Sequence, residues 1–461
     1  MAINFSAFDI GLSALQANQL GLNVTGQNIA NVNTPGYAQQ SVVLSPTAPQ
    51  AVGGQLVGGG VTVDQVQSSR DQFIQNRLQT ENGNTGRLTA QSNSLAPIDA
   101  AFSDTGNGIS TGLTNFFGAF SSLQANPTDN SLRTAAIASG VQLGASLSFT
   151  RSQLTSAVSA ANQAIGGNVQ KANSLATQIA SLNSSIQQAQ GGSGNASDLI
   201  TQRDQAVNSL TELTGVSSTQ NSDGTISLTL GDGSPLVLGD KAFSLQATPT
   251  GPSGLYSLTL NGKPAAISNG EILGQQDAIG QISSQISQLD SIASSLATAV
   301  NTIHQSGTDL NGNPGGAFFT SSDGNPISAA NLTVSAAIQA NPSLLAVAAA
   351  GAGTGDGSVA ASIANLETDT NQTAGSQTGS FPSIYSSLVS TAGSALQTAN
   401  DGLTTQQAIM TQTTNQAQSE SGVDLDQEAV NMLSYQRAYE AAAQFITAAN
   451  QITEAVIQMG Q

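Results

Sequence analysis

Heptad-spaced apolar residues at both ends of the chain constrain the fold more than any other feature of the sequence. Within the first 30 residues, apolar side chains recur in steps of three and four, and the last 30 residues repeat this spacing. Such spacing places each set on one face of an α-helix, the face that a coiled coil buries. We expect the two terminal helices to pack against each other and to form a structural building block.

Each set is named here by its position. The N-terminal stripe consists of Phe5, Phe8, Leu12, Leu15, Gln19, Leu22, Gly26 and Ile29. The C-terminal stripe consists of Met432, Tyr435, Tyr439, Ala442, Ile446, Ala449, Thr453 and Val456. Neither stripe contains a charged residue, and both tyrosines fall on the helical spacing, so we interpret them as packing residues that also allow a partner contact.

The charge balance excludes several classes of partner. Acidic residues outnumber basic ones 28 to 10, which gives a net charge of −18, and the first basic residue is Arg70. Nucleic acids and anionic membranes attract proteins through clustered lysine and arginine. We therefore expect no nucleic acid and no membrane as a partner, and no apolar run approaches the roughly 20 residues of a membrane span.

No residue pattern indicates an enzyme, a cofactor site or a metal site. The chain has no cysteine and a single histidine, His304, so a zinc site or a Ser-His-acid triad lacks its usual residues. The segment from Asp309 resembles the start of a calcium loop, but Pro314 and Thr320 occupy the positions that need glycine and an acid. We expect a turn at Asp309 that is stabilised by its own side chains.

A turn motif, residues 30–37, follows the first helix. Its sequence is Ala30-Asn31-Val32-Asn33-Thr34-Pro35-Gly36-Tyr37. Proline disfavours a helical conformation in the residue before it, and asparagine and glycine tolerate turns. The first helix must therefore end here.

The pattern between the ends predicts a mainly α fold with a β insertion. Helical spacing predicts a long helix over about 132–190, with a kink or break at Gly166-Gly167. Alternating apolar residues bounded by turn residues predict antiparallel strands in the middle of the chain. We expect discontinuous nested domains: a terminal-helix coiled coil (1–40 plus 420–461), a mainly helical bundle domain (41–215 plus 271–419) and a small β-rich inserted domain (216–270).

The turn motif resembles the segment that follows the N-terminal helix in the axial proteins of the bacterial flagellum, which are rod, hook and hook-associated proteins. Residues 421–429 and 435–439 resemble the C-terminal motif of the same proteins. The segments 179–186, 198–204 and 304–319 resemble the hook-associated protein 1 family in particular. The β insertion is small for that family, which implies that an additional outer domain of some relatives is missing.

This resemblance implies a structural subunit of the junction between hook and filament, located outside the cell after type III export without a cleaved signal peptide. The implied partners are further copies of the chain in a ring on the flagellar axis, hook protein below, hook-associated protein 3 above, and an export chaperone that binds the C-terminal region. The residues expected to act in assembly are Phe8, Leu12, Leu15, Leu22, Ile29, Asn31, Asn33, Thr34, Pro35, Gly36, Tyr37, Tyr435, Gln436, Tyr439, Ala442, Ile446, Ala449 and Val456.

Two alternatives remain open from the sequence. The chain could be another axial component, hook protein or a distal rod protein, because these proteins share the terminal motifs. It could also be a secreted adhesin or enzyme with flagellar-type ends and an active part within 216–360, although that segment lacks a polar constellation.

Overall fold

The computed structural model describes residues 6–459 apart from residues 35, 53–54, 104–105, 107, 192–195 and 251–254. Phe5 and Pro35 therefore lie outside the described residues. Most of the described residues are helical and the sheets are small and antiparallel, which confirms the expected fold class.

The described residues form ten α-helices. These are α1 (Ser6–Ala30), α2 (Gln72–Phe102), α3 (Ile109–Ala125), α4 (Asn130–Gly191), α5 (Ser197–Thr214), α6 (Glu271–Gln305), α7 (Ala336–Ala340), α8 (Ser358–Asn365), α9 (Phe381–Ser421) and α10 (Leu425–Met459).

Short strands lie between the helices. They are β1 (Gln40–Pro46), β2 (Gln50–Val52), β3 (Gln55–Val57), β4 (Val61–Ser68), β5 (Ser217–Gln220), β6 (Ile226–Thr229), β7 (Pro235–Leu238), β8 (Lys241–Ala242), β9 (Leu245–Thr250), β10 (Leu255–Leu260), β11 (Lys263–Pro264), β12 (Gly307–Thr308), β13 (Phe319–Ser321), β14 (Leu332–Val334), β15 (Ala348–Ala349), β16 (Gln372–Ala374) and β17 (Gln377–Gly379).

A bundle of α2, α4, α6 and α9, with α3 and α5 beside it, holds the main hydrophobic core. Five phenylalanine rings cluster where α3 meets β13, with neighbouring ring centroids 4.8–5.9 Å apart. Each of these rings is at most 1% exposed, and such pairs add about 0.5–1.5 kcal/mol to the energy of burial. The cluster consists of Phe116, Phe117, Phe120, Phe318 and Phe319.

The helix α4 runs unbroken for 62 residues, through the glycine pair at 166–167. The structure has no break there, because the residues on either side are anchored in the core: Ile165 is fully buried and Val169 is 5% exposed. Each helical glycine costs about 1 kcal/mol relative to alanine, whereas burying a valine or isoleucine side chain contributes about 1.5–3 kcal/mol. The packing of Ile165 and Val169 therefore outweighs the low helix propensity of the glycine pair.

The predicted antiparallel strands are present between residues 217 and 264 as two sheets, in the orders β5-β6-β7-β8 and β11-β10-β9. Both sheets pack on α4, where two asparagine side chains continue the backbone hydrogen bonding. Asn183 donates to Ile226 O at 2.8 Å and accepts from Ile226 N at 3.2 Å. Asn173 does the same with Leu245, at 2.8 Å in both directions. The division into three nested domains stays a prediction.

A long hairpin lies beside α1. Its strands β1 and β4 pair from Gln40 with Ser68 to Pro46 with Val61. The hairpin contacts one side of α1, where Val61 N donates to Ser13 Oγ at 3.3 Å. Among the described elements, α1 therefore packs mainly on two, the hairpin and α10.

Candidate functional site

The terminal helices α1 and α10 pack against each other over small residues of α1. A Cβ built on Gly11 would lie 2.5 Å from Ile446 Cγ1, and one built on Gly21 would lie 2.6 Å from Tyr435 Cε1. Both distances are shorter than side-chain atoms tolerate, so the glycines allow a closer approach than any other residue would. Since residue 11 meets residue 446 and residue 21 meets residue 435, the two helices are antiparallel.

The C-terminal stripe is the face of α10 that meets α1. Ala442 is buried, and Met432, Tyr435, Ile446, Ala449 and Thr453 are half-buried, whereas most of the other α10 residues are exposed. Tyr439 and Val456 lie at the margin, 38% and 40% exposed. Gln436 is exposed and lies off this face. The helical spacing therefore identified the packing face of the last helix.

The N-terminal stripe is not the buried face of α1, and that expectation was wrong. Leu12 is 52% exposed, while Phe8, Leu15, Leu22 and Ile29 are half-buried at the margin of the contact. The buried residues of this helix are Gly11, Ala17, Gly21, Val24, Thr25 and Asn28. The reason is that α1 is covered on two sides, by α10 over its glycines and by the β1–β4 hairpin. The stripe of large side chains points directly at neither α10 nor the hairpin.

The turn motif ends α1 by side-chain and backbone hydrogen bonds. Thr34 N donates to Asn31 O at 2.9 Å, its Oγ1 donates to Asn31 Oδ1 at 3.1 Å, and Tyr37 N donates to Thr34 O at 3.1 Å. Gly36 has φ +75°, a left-handed conformation that favours glycine. Asn33 is exposed. The helix end predicted from this motif is present.

Asn28, on the last turn of α1, fixes the start of the hairpin. Its Nδ2 donates to Gln40 O at 2.8 Å, and its Oδ1 accepts from Gln40 N at 3.0 Å. The same Oδ1 accepts from the Tyr37 hydroxyl at 3.0 Å. Both Asn28 and Gln40 are buried, where an unpaired amide would cost about 1–3 kcal/mol. This buried set holds α1, the turn motif and β1 in one arrangement.

Gln39 joins the two ends of the chain. Its backbone N donates to Ser421 O at 2.9 Å, and its Nε2 donates to Glu428 Oε1 at 2.6 Å. Glu428, in the first turn of α10, is 1% exposed. Burial and the nearby charges of Asp198 and Glu428 raise the pKa of Tyr37 to about 12, so its hydroxyl is a neutral donor at pH 7.

Arg70 connects the turn motif to α5 in the helical bundle. Its guanidinium donates to Gly36 O at 3.3 Å and to Thr201 Oγ1 at 3.1 Å, and it forms an ion pair with Asp204. Burial lowers the pKa of Arg70; burial and the charge of Arg70 lower the pKa of Arg203 to about 10. We name Asn28, Tyr37, Gln39, Gln40, Arg70, Asp204 and Glu428 the polar junction. Sequence reasoning missed it, apart from Tyr37.

The residues weighed as chemical sites have structural roles. His304 is fully buried; its Nδ1 donates to Gly316 O at 2.7 Å and its Nε2 accepts from Ala346 N at 2.9 Å. Asp309 Oδ1 accepts from the backbone N of Asn311 and Asn313, both at 2.8 Å, which confirms the predicted turn. Within the described ranges, no group of three or more acidic or histidine side chains could hold a metal ion.

None of the helices in the described part of the chain is long and apolar enough to cross a membrane.

Three family models match the chain, and two of them match the elements that build this site. The model of the flagella basal body rod protein matches residues 8–37, and that of the flagellar basal body rod FlgEFG protein C-terminal region matches residues 414–459. The helical domain of flagellar hook-associated protein FlgK matches residues 95–319. Flagellar hook-associated protein 1 of Escherichia coli K12 is 28% identical, over 98% of this chain and 100% of that protein. The chain is therefore similar to flagellar hook-associated protein 1 along almost its whole length.

A relative from a different bacterium is similar to a comparable degree. Flagellar hook-associated protein 1 of Bacillus subtilis is 26% identical, over 99% of this chain and 98% of its own. The solved structure of the flagellar hook junction protein FlgK from Burkholderia pseudomallei has the same fold, with a TM-score of 0.65 at 18% identity over 75% of this chain and all of that one. The Escherichia coli alignment spans 546 positions against 461 residues here, so that protein has residues without a counterpart in this chain.

Proposed function

We propose that this flagellar protein is a structural subunit of the junction between hook and filament, that it is not an enzyme, and that it assembles through α1 and α10. One observation carries the proposal: similarity to hook-associated protein 1 extends along the whole chain, including both terminal helices. Proteins that form axial arrays need exposed contact surfaces, and most of the exposed large apolar side chains of the described residues lie on the terminal helices, all but Leu12 on α10.

The exposure of α10 supports an assembly role. Among the large apolar side chains of this helix, Val430 is 61% exposed, Leu433 56%, Ile452 66% and Met459 79%. Contiguous exposed apolar surface marks an interaction site more often than chance. Since most of the stability of a helix in a protein comes from packing of its apolar face, contacts with further subunits would stabilise α10.

The finer assignments follow the family resemblance. Copies of the chain would form a ring on the flagellar axis, with hook protein below and hook-associated protein 3 above. The terminal-helix domain would lie nearest the axis, and the β insertion would point outward. An export chaperone would hold the C-terminal region before type III export, and the assembled protein would be extracellular.

Deletion of the gene tests this proposal. The deletion strain is expected to carry intact hooks without filaments and to release flagellin into the medium. The full-length chain should restore filaments, whereas a chain that ends at residue 424, before α10, should not. Loss of the hooks themselves would instead identify a hook or rod component, and normal filaments would refute a junction role.

A further inference from the structure

The helix α10 carries a second apolar stripe that no described residue of this chain covers. Its members follow steps of three and four and contain no charge: Ala438, Ala441, Phe445, Ala448, Ile452, Ala455 and Met459. All seven are exposed, and the large ones are 46%, 66% and 79% exposed for Phe445, Ile452 and Met459. At 100° per residue, this second stripe lies about a third of a turn from the C-terminal stripe. It therefore forms a separate coiled-coil face.

The N-terminal stripe has the matching spacing. Its large residues Phe8, Leu15, Leu22 and Ile29 are seven apart, and the alanines of the second stripe, at 441, 448 and 455, are also seven apart. Large side chains of one helix pack well opposite small ones of the other, and the shared period keeps this match along the interface. The segment from Phe8 to Ile29 and the second stripe each span 22 residues, or about 33 Å of helix. Neither stripe has a charge to desolvate.

The same chain cannot supply this contact. Its own α1 lies on the C-terminal stripe through Gly11 and Gly21, and its N-terminal stripe lies about a quarter of a turn from those glycines. The N-terminal stripe and the second stripe are rotated in opposite senses from the faces through which α1 and α10 contact each other. Because the two helices are antiparallel, these rotations place the N-terminal stripe on one side of the α1–α10 pair and the second stripe on the other side. The β1–β4 hairpin covers the remaining side of α1.

We propose that the N-terminal stripe of one copy packs against the second stripe of the next copy. This rests on the proposed function, since it names the contact by which the subunits assemble. Complementary surfaces on opposite sides of a protomer give a head-to-tail contact, which generates a ring or a helix rather than a two-fold dimer. The occupant of the second stripe is therefore α1 of a second copy.

The absence of cysteine makes disulfide crosslinking a direct test. Leu12→Cys and Ile452→Cys are made in separate, differently tagged chains, which are expressed together, and isolated flagella are oxidised mildly. The expected product is a disulfide dimer that contains both tags. Ala14→Cys with Ala442→Cys in one chain is the intramolecular control, because the register of α1 on α10 places these positions opposite each other.

The proposal is overturned if the variants are incorporated into flagella but form only same-tag dimers, disulfide bonds to a different protein, or no dimer. A charge substitution provides a second measurement. Ile452→Asp should abolish filament formation, whereas Gln451→Asp, which adds the same charge at the adjacent exposed position, should leave it intact. Equal motility of both variants would also overturn the contact, and the phenotype of the gene deletion would still decide the junction role separately.

Discussion

Alanine substitution at two glycines of α1 should have opposite effects on the stability of the terminal-helix pair. A Cβ on Gly21 would lie 2.6–2.7 Å from three ring atoms of Tyr435, whereas a Cβ on Gly26 would meet nothing within 4 Å. Both substitutions gain about 1 kcal/mol of helix propensity. Only Gly21→Ala forces the half-buried ring to move, and overpacking of this kind costs about 1–3 kcal/mol.

The helix propensity term is common to both variants, so the difference between them isolates the packing term. We expect Gly26→Ala to stabilise α1 by about 1 kcal/mol. In Gly21→Ala the free energy of opening α1 should be lower than in Gly26→Ala by about 1–3 kcal/mol. Hydrogen exchange of the α1 backbone amides in the purified chain measures this, because local opening sets the exchange rate. The amides of Gly21→Ala should exchange about five- to 150-fold faster than those of Gly26→Ala.

Equal protection of α1 in the two variants would refute the close approach of α1 and α10 at Gly21. A rise in protection for Gly21→Ala would refute it as well, since the added methyl group would then have found space. The exchange of α4 amides is the internal control, because neither substitution contacts that helix.

Three further predictions concern the body and the polar junction. Burial lowers the pKa of His304 in the folded protein, so its stabilising contribution is complete above the unfolded pKa of about 6.5. Below that pH the free energy of unfolding falls by about 1.4 kcal/mol per pH unit until the lowered folded pKa is reached, and His304→Gln should abolish this pH dependence between pH 7 and 5 in denaturant titrations. Arg133→Met removes a fully buried guanidinium that donates to three backbone carbonyl oxygens, and it should lower the free energy of unfolding by about 3–5 kcal/mol. In the same titration Lys171→Met, at an exposed position, should change the free energy of unfolding by less than about 0.5 kcal/mol. Asp204→Asn, which removes the partner of Arg70, should speed hydrogen exchange in the turn motif and leave α4 unchanged, and unchanged exchange in the motif would refute the role of the ion pair.

Heptad spacing predicted the packing face of α10 but not that of α1. The difference lies in the number of neighbours. α10 packs mainly on α1, so the face that carries the C-terminal stripe is its least exposed face. α1 has two neighbours, and the closest approach is made by Gly11 and Gly21, which a hydrophobic pattern ignores.

The polar junction could not be predicted, because its members are far apart in the sequence. Gln39 and Glu428 are separated by 389 positions, and no local pattern pairs a glutamine with a buried carboxylate. A weak signal was available in Arg70, which stands alone among the first 76 residues of a chain with only 10 basic residues. An isolated cation in an acidic protein is worth tracing to its partner.

The second stripe of α10 was also present in the sequence. Four of its seven members are alanine, which contributes little to a hydrophobic pattern although it is well suited to close helix packing. Its exposure became informative only after the structure had placed α1 on the other face.

Immunogold electron microscopy of isolated hook–filament complexes tests the central claim most directly. An antibody against this protein should label one narrow band between the hook and the filament. Label distributed along the hook, on the rod or along the filament would contradict a junction subunit and would assign the chain to another axial component.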